Sequence, residues 1–168
     1  MKKFELTTDS IKRNGVTLYR IKSLIDFEDV KAGDLGGYVE KEENLSQYGD
    51  AWAFDDAQVY GNACVSDNAQ VRGNARVSGN ALVCDNARVV GNARVSGDAD
   101  YIHLKEFGSH NRNTTMFREE NGNIYVSCGY FSGTLQEFES KVKETHGNSE
   151  FAREYLALVE AAKIHFEV

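Results

Sequence analysis

Arginine side chains in the middle of the chain are the first residues that could do chemistry. Four arginines lie between positions 69 and 96, where Asp85 is the one acidic residue. A planar guanidinium binds phosphate or carboxylate through two parallel hydrogen bonds, so this segment could hold a small anion. Solvated surface or salt bridges between chains are the alternative explanation. The candidate ligand-binding residues are Arg72, Arg76, Arg88 and Arg94.

A second group of candidates follows in the stretch YIHLKEFGSHNRN. Imidazole, amide and guanidinium groups next to Gly108 are rich in hydrogen-bond donors for an anionic or nucleotide ligand. A polar connection between two structural elements would have the same composition, and both explanations stay open. The candidates here are His103, His110, Asn111 and Arg112.

Three aromatic residues, Trp52, Phe54 and Tyr60, form a third candidate group. If all three point outward from the same end of a repeat structure, they could form a surface for a partner protein, because large exposed apolar patches mark interfaces. Packing beneath an N-terminal cap explains them equally well.

These candidates are positioned by a repeat of six residues. From Gly49 the sequence reads GDAWAF, DDAQVY, GNACVS, DNAQVR, GNARVS, GNALVC, DNARVV and GNARVS, and a ninth hexad begins at Gly97. The third residue is always Ala and the fifth is Val from position 59 onward. Residues two apart on a strand share a face, so Ala and Val point inward together. Gly or Asp followed by Asn or Asp tolerates the backbone of a tight corner.

Strand and corner in alternation predict a triangular coil with three hexads, or eighteen residues, in each rung. Stacked rungs should lie about 4.8 Å apart, as neighbouring strands do. An amphipathic α-helix needs apolar residues spaced by three and four and is excluded. The eighteen-residue period stacks outward side chains in columns: Gln58, Arg76 and Arg94; Trp52, Gln70 and Arg88; Cys64, Leu82 and Asp100.

The segments that flank the repeats should cap the open ends of the coil, which expose unpaired strand edges. An irregular first coil is expected from about residue 35, with Val39 and Leu45 inside. Before it, strands at 3–6 and 16–23 around a polar turn at 8–15 predict a hairpin.

Beyond the repeats, strands at 114–118 and 124–128 flank the turn residues Asn121 and Gly122, which predicts a second hairpin. Thr134 and Glu137 form a capping box for a helix that stops at Gly147. Ser149 caps a second helix. The residues predicted to form the buried stripe of this second helix are Phe151, Tyr155, Leu158, Val159 and Ala162.

The hexads resemble the hexapeptide repeat of left-handed β-helices. The left hand is implied by this resemblance, because the general rule for parallel crossovers favours the right hand. The predicted fold class is mainly β: a left-handed parallel β-helix, or hexapeptide-repeat solenoid, with an N-terminal β cap and a C-terminal ββαα unit. The predicted domains are a cap hairpin over residues 1–34, the β-helix over 35–102, and a hairpin with two helices over 103–168.

Composition limits the environment and the partners of the chain. Hydrophobic residues make up 41% and the net charge is −7, which predicts a folded protein that does not bind nucleic acid nonspecifically. No stretch predicts a membrane span or a secretory leader, so we expect a cytoplasmic protein without a membrane partner. Three cysteines without CxxC spacing suggest neither a disulfide framework nor a zinc site. No metal and no cofactor is expected.

The chain also resembles hexapeptide-repeat proteins encoded by bacteriophages and prophages. The matching stretches are VKAGDLGGYVEKEENLSQ, the GNARV repeats, and GSHNRNTTMFREENGNIYVSCGYFSGTLQEFESKVKETHG. This resemblance implies an architecture and a phage setting, in the cytoplasm of the host cell, and gives no catalytic residues. Assembly as a homotrimer is implied by the hexapeptide resemblance.

The resemblance to hexapeptide enzymes also implies an alternative function. Such acyltransferases use a histidine as general base at a seam between subunits. No histidine lies among the hexads, and an extended loop that protrudes from the coil is absent. A zinc hydratase of the related type needs three histidines, two of them five apart, and this spacing is missing as well.

We therefore predict a noncatalytic binding scaffold. Its ligand would be a small anionic, nucleotide-like signal or a host protein, sequestered to counter host defence. The rival hypotheses are an acyltransferase that depends on acyl-coenzyme A, with His103 or His110 as base, and a structural or assembly component.

Overall fold

A computed structural model describes residues 2–168, with Asp98 described by its backbone. The chain divides after Asp98 into two units. The first unit contains strands β1 Phe4–Arg13, β2 Val16–Ser23, β3 Leu35–Val39, β4 Trp52–Ala53, β5 Gln58–Val59, β6 Cys64–Val65, β7 Gln70–Val71, β8 Arg76–Val77, β9 Leu82–Val83, β10 Arg88–Val89 and β11 Arg94–Val95. The second contains β12 Tyr101–Phe107, β13 Arg112–Arg118, β14 Ile124–Cys128, β15 Phe131–Thr134, α1 Leu135–His146 and α2 Glu150–Phe166.

The hexads form a parallel β-helix with three faces, as the sequence predicts. On the first face β3, β5, β8 and β11 pair in parallel, on the second β4, β7 and β10, and on the third β6 and β9. Gln58 is opposite Arg76, and Arg76 is opposite Arg94, so these regular rungs are eighteen residues long. The predicted columns that begin at Gln58 and Trp52 are confirmed. The third column is confirmed for its first two members, because Leu82 is opposite Cys64. The left hand stays a prediction.

The interior of the coil is made of Ala and Val. The third-position alanines from 51 to 93 and the fifth-position valines from 59 to 95 are at most 1% exposed. The ninth hexad departs from this pattern, because Ala99 is exposed and residues 98–100 form a short 3-10 helix. The repeat therefore ends after its eighth hexad.

The corners use left-handed backbone at the first residue of each hexad. This first residue is either Gly or Asp, and its φ ranges from 53° at Asp55 to 71° at Gly73. Side chains also join the rungs: Asp55 Oδ2 accepts a hydrogen bond from Gly73 N at 3.0 Å, and Asn62 Nδ2 donates to Asn80 Oδ1 at 3.1 Å. Gly supplies this conformation without strain, and Asp tolerates it while adding an acceptor.

The first coil contains two extra residues. Leu45 is opposite Val65, twenty positions on, whereas Trp52 is opposite Gln70, eighteen positions on. The insertion therefore lies between Leu45 and Trp52. Within it, Gln47 Oε1 accepts hydrogen bonds from Lys3 N at 2.8 Å and Phe4 N at 3.3 Å. This irregularity fastens the N-terminal strand to the coil.

The N-terminal hairpin extends the first face, because β1 and β2 are antiparallel and β2 pairs with β3. The prediction of a polar turn at 8–15 was wrong. Strand β1 continues to Arg13, and Asn14 and Gly15 make the turn with φ of 50° and 83°. Polar residues are compatible with β1 because it is an edge strand with exposed side chains.

Lys3 is a buried cation in this hairpin, 1% exposed. Its Nζ donates to the carbonyl oxygens of Ala51 at 2.9 Å and Gly49 at 3.2 Å and lies 5.3 Å from the centre of the Phe27 ring. Burial lowers the pKa of Lys3 to about 8, against a smaller opposing effect of Asp50.

The second unit is a four-stranded antiparallel sheet followed by two helices, in the strand order β12, β13, β14, β15. The predicted hairpin forms its centre. The outer strands β12 and β15 were missed, because YIHLKEF places charged residues beside apolar ones and FSGT contains turn-forming residues. The C-terminal unit is therefore ββββαα. Among residues 2–168, no helix combines the length and apolar character needed to cross a bilayer.

The helix boundaries follow their predicted caps. Thr134 accepts from Glu137 N and Glu137 Oε2 accepts from Thr134 N, while Ser149 caps α2. The buried stripe of α2 differs at its start, where Phe151 is 38% exposed. Ala152 is buried in its place, because the face that meets the sheet is rotated by one residue at this end.

Two glycines at the same corner give a matched test of rung spacing. Gly61 and Gly79 have φ of 70° and 61°, so Ala at either position carries the left-handed penalty of about 1–2 kcal/mol. A Cβ at Gly61 would meet Gly79 N at 3.3 Å, whereas a Cβ at Gly79 would overlap the carbonyl oxygen of Ser96. We expect Gly79→Ala to lower the free energy of unfolding by a further ~1–3 kcal/mol relative to Gly61→Ala, measured by denaturant titration. Equal losses would contradict this spacing.

The lowered pKa of Lys3 predicts that the free energy of unfolding depends on pH. The unfolded side chain titrates near 10.5 and the folded one near 8, so between these values the unfolded state holds a proton that the folded state has lost. The free energy of unfolding should therefore gain a contribution of roughly 3 kcal/mol as pH rises from about 8 to 10.5. Lys3→Met should remove this contribution, whereas Lys2→Met, at an exposed ion pair with Glu42, should retain it. Parallel pH profiles for the wild-type and Lys3→Met proteins would show the assignment to be wrong.

Candidate functional site

A cavity of about 400 Å³ lies in the second unit, and basic, histidine, cysteine and tyrosine side chains are among the residues that line it. Residues of the β12–β13 turn, the β14–β15 turn and both helices contribute to it. A volume of this size is typical of sites for small molecules. The lining residues are Ser109, His110, Arg112, Cys128, Tyr130, Phe131, Phe138, Lys141, Val142, Thr145, His146 and Tyr155.

The floor of the cavity is apolar and aromatic. Cys128, Phe138, Val142 and Tyr155 are each 4–5% exposed. The rings of Phe138 and Tyr155 are nearly perpendicular with centroids 5.7 Å apart, and His146 stacks on Tyr155 at 5.5 Å. Such edge and offset contacts fix the orientation of the rings. The floor is therefore a preformed surface.

The Tyr155 hydroxyl lies in the floor close to Gly108. A Cβ at Gly108 would overlap the phenol oxygen, so glycine is required for this approach. Burial raises the pKa of Tyr155 and neighbouring Cys128 adds to this, while hydrogen bonds with Ser109 oppose it. Because the pKa is above its ordinary value of 10, the hydroxyl is neutral at pH 7.

Positive charge surrounds the mouth of the cavity. The Arg112 side chain lies across Gly129, where a Cβ would overlap it, and its guanidinium is 5.3 Å from the Tyr130 ring centre. Lys141 is exposed and pairs with Glu144 at 2.9 Å. The exposed His110 ring shares a hydrogen bond of 2.9 Å with the Ser109 hydroxyl. Arg112 is therefore held in place, while Lys141 is free to reorient.

Two of the four C-terminal candidates line this cavity, His110 and Arg112. The His103 side chain is elsewhere in the same sheet, with Nδ1 3.1 Å from the Thr115 hydroxyl. Asn111 occupies the β12–β13 turn with φ of 47°, and its backbone N donates to Gly108 O at 3.2 Å. The geometry gives Asn111 a role in turning the chain.

The solenoid arginines form two pairs on different parts of the coil. Arg76 and Arg94 are neighbours on the first face, in register with Gln58. The Arg94 guanidinium donates to the carbonyl oxygens of Ala93 at 2.8 Å and Asn74 at 3.1 Å. These bonds join two rungs at a corner and use donors that an anion would need.

Arg72 and Arg88 are the second pair. The Arg72 guanidinium covers the Phe54 ring at 3.6 Å, and its Nε donates to Gln70 Oε1 at 3.1 Å. Burial and the charge of Arg88 lower the pKa of Arg72, while Asp55 and two acidic residues of the N-terminal segment oppose them. Carboxylates therefore already oppose the charge of Arg72 on this part of the coil.

The three aromatic candidates do not form one exposed surface. Trp52 is 1% exposed and contacts Phe4 and Phe27 edge to face at centroid distances of 6.1 Å and 5.5 Å. The expectation that Trp52 contributes to a partner surface is corrected by this burial. Its side chain points outward from the coil, but the N-terminal segment covers it. Phe54 and Tyr60 are half-buried.

Sequence reasoning missed several residues of the cavity. Tyr155 was assigned to the buried stripe of α2, and Lys141, His146 and Cys128 were not singled out. Lys141 and His146 are five apart on α1, which is not the spacing of three or four that brings helical side chains together, so the sequence carried no local signal for this pair. Among residues 2–168, no group of three His, Cys, Asp or Glu side chains could hold a metal ion.

Comparison with known proteins gives one short similarity. The chain is 40% identical over 52 residues to a protein of Escherichia coli (strain K12) described as "Uncharacterized acetyltransferase YdcK". The match covers 31% of this chain and 16% of that protein, so the chain spans about a sixth of the length of this relative. No protein-family model matches the chain. Together with the repeat and the coil, the similarity supports a hexapeptide-repeat β-helix protein.

A substitution at Gly108 tests how closely the Tyr155 ring packs against the backbone in the floor of the cavity. Gly108→Ala would force the Tyr155 ring away from its position, in addition to the penalty of φ at 75°. We expect a loss of about 2–4 kcal/mol in the free energy of unfolding, from strain and overpacking together. Gly122→Ala has a similar φ of 85° and open space, and should lose about 1–2 kcal/mol. Thermal or denaturant unfolding of both variants tests this, and a Gly108→Ala variant as stable as Gly122→Ala would contradict the packing.

Proposed function

We propose that this hexapeptide-repeat β-helix protein is a noncatalytic binding scaffold that holds a small anion in the cavity of its C-terminal unit. The observation that carries the proposal is the arrangement of Arg112, His110 and Lys141 around the mouth of a cavity with a preformed aromatic floor. Cationic donors placed beside low-dielectric walls attract and orient anions. Local positive charge therefore acts within a chain of net charge −7.

Binding without turnover agrees with the chemistry of the lining groups. The Tyr155 hydroxyl is neutral at pH 7 and buried in the floor, so it is a poor general base. Cys128 is buried and accepts a hydrogen bond from the Thr114 hydroxyl at 3.1 Å. The solenoid would serve as a rigid support.

The biological setting of this proposal rests on resemblance. The likeness to phage and prophage hexapeptide-repeat proteins suggests that the scaffold works in the cytoplasm of a host cell as a homotrimer. Sequestering an anionic signal or a host protein to counter host defence is the corresponding hypothesis. Native mass spectrometry of freshly purified protein would report the subunit number and a retained small molecule in one experiment.

Acyl transfer is the second candidate, favoured by the similarity to a protein described as an acetyltransferase. His110 is the cavity residue that could act as general base, because its ring is exposed at the mouth. This hypothesis predicts stabilisation by acetyl-coenzyme A and loss of transfer in His110→Ala. Binding of simple anions without any transfer would favour the scaffold.

Two lysines on α1 supply a matched test of the anion site. Lys141 lines the cavity, whereas Lys143 pairs with Glu139 and is not among the lining residues. With inorganic phosphate and benzoate as probes, we expect Arg112→Gln to weaken binding of the better probe about tenfold or more and Lys141→Gln about threefold. Lys143→Gln should bind as the wild type does.

Isothermal titration calorimetry at two salt concentrations measures these affinities, and binding should weaken as salt rises. The proposal fails if neither probe binds to the wild-type protein. It also fails if Arg112→Gln binds as tightly as the wild type.

A further inference from the structure

The cavity changes in chemical character from floor to mouth. Its most buried side chains are apolar or aromatic, whereas the charged lining residues are more accessible: Arg112 is half-buried and Lys141 is exposed. Tyr130, at the mouth, is 97% exposed, whereas Tyr155, in the floor, is 4% exposed. A ligand that enters this site therefore meets cations first and hydrocarbon below them.

The polar side-chain atoms of the floor are largely covered by the protein. The Tyr155 hydroxyl lies against Gly108, the Cys128 thiol accepts a hydrogen bond from the Thr114 hydroxyl at 3.1 Å, and both residues are at most 5% exposed. A ligand hydroxyl or amide placed at this depth would lose its hydrogen bonds to water without replacement, which is unfavourable. The floor thus favours an apolar group and disfavours the ribose of a nucleotide.

Resting on the proposed anion site, we propose that the ligand is an amphipathic anion: a carboxylate or phosphate that carries an aliphatic or aromatic body. The body lies against Phe138, Val142 and Tyr155, and the anionic head lies beside Arg112 at the mouth. At about 30 Å³ for each water-sized group, 400 Å³ holds a ligand of roughly a dozen heavy atoms.

A homologous series of anions tests the apolar body. Affinities of the full-length protein for acetate, butyrate, hexanoate, octanoate, benzoate and inorganic phosphate would be measured by calorimetry at constant ionic strength. Each buried methylene should tighten binding up to about fourfold until the cavity is filled. Octanoate and benzoate should therefore bind much more tightly than acetate or phosphate.

The outcomes separate the two proposals. If phosphate binds as tightly as octanoate and chain length has no effect, the amphipathic ligand is wrong and the anion site stands. If no anion of the series binds, the proposed function itself fails.

The location is tested with Cys128, which lines the floor. In a Cys64→Ser, Cys84→Ser background the remaining thiol is Cys128, and bound octanoate should slow its modification by a maleimide at least tenfold. Thr145→Trp, an exposed position on the cavity wall, should weaken octanoate at least tenfold, whereas Lys143→Trp, outside the wall, should not. Octanoate binding that neither protects Cys128 nor responds to Thr145→Trp would overturn the assignment.

Discussion

The stacking of eighteen-residue rungs is the constraint on which the first unit depends. Backbone hydrogen bonds between rungs hold the coil in register, as from Gln58 N to Ala75 O at 2.9 Å. Register then decides which side chains point inward, and in the regular hexads these are Ala and Val. Because one coil cannot bury its own apolar face, each rung depends on its neighbours. Corner residues with positive φ and asparagine ladders serve this same spacing.

The start of the coil shows how such a repeat begins. A two-residue insertion after Leu45 lets Gln47 and the backbone around Gly49 meet the first strand of the hairpin. Trp52, outward on the coil, is covered by Phe4 and Phe27. Lys3 satisfies two carbonyl oxygens that the irregular coil leaves without a ladder partner, and the cost of burying its charge appears as its lowered pKa.

The ligand site that we propose lies outside the repeat. The solenoid arginines bond to carbonyl oxygens, to Gln70 and to the Phe54 ring, so much of their donor capacity serves the coil. In the C-terminal unit, Arg112 and Lys141 instead lie at the mouth of a cavity whose floor is apolar and aromatic. The cavity depends on two glycines, because Gly108 admits the Tyr155 phenol in the floor and Gly129 admits the Arg112 side chain at the mouth. The anion site that we propose is thus a product of close packing between turns and helices.

The sequence by itself determined the three-faced coil, the columns that begin at Gln58 and Trp52, the pairing of Cys64 with Leu82, both helices with their caps, and the two central strands of the C-terminal sheet. These features follow from local periodicity and capping, which one stretch of chain carries alone. Only the tertiary structure decided the burial of Trp52, the extra strands β12 and β15, and the meeting of Arg112, Lys141 and Tyr155. Those contacts join elements as far apart as residues 112 and 155, and no local pattern encodes which side chains will converge when a sheet and two helices pack.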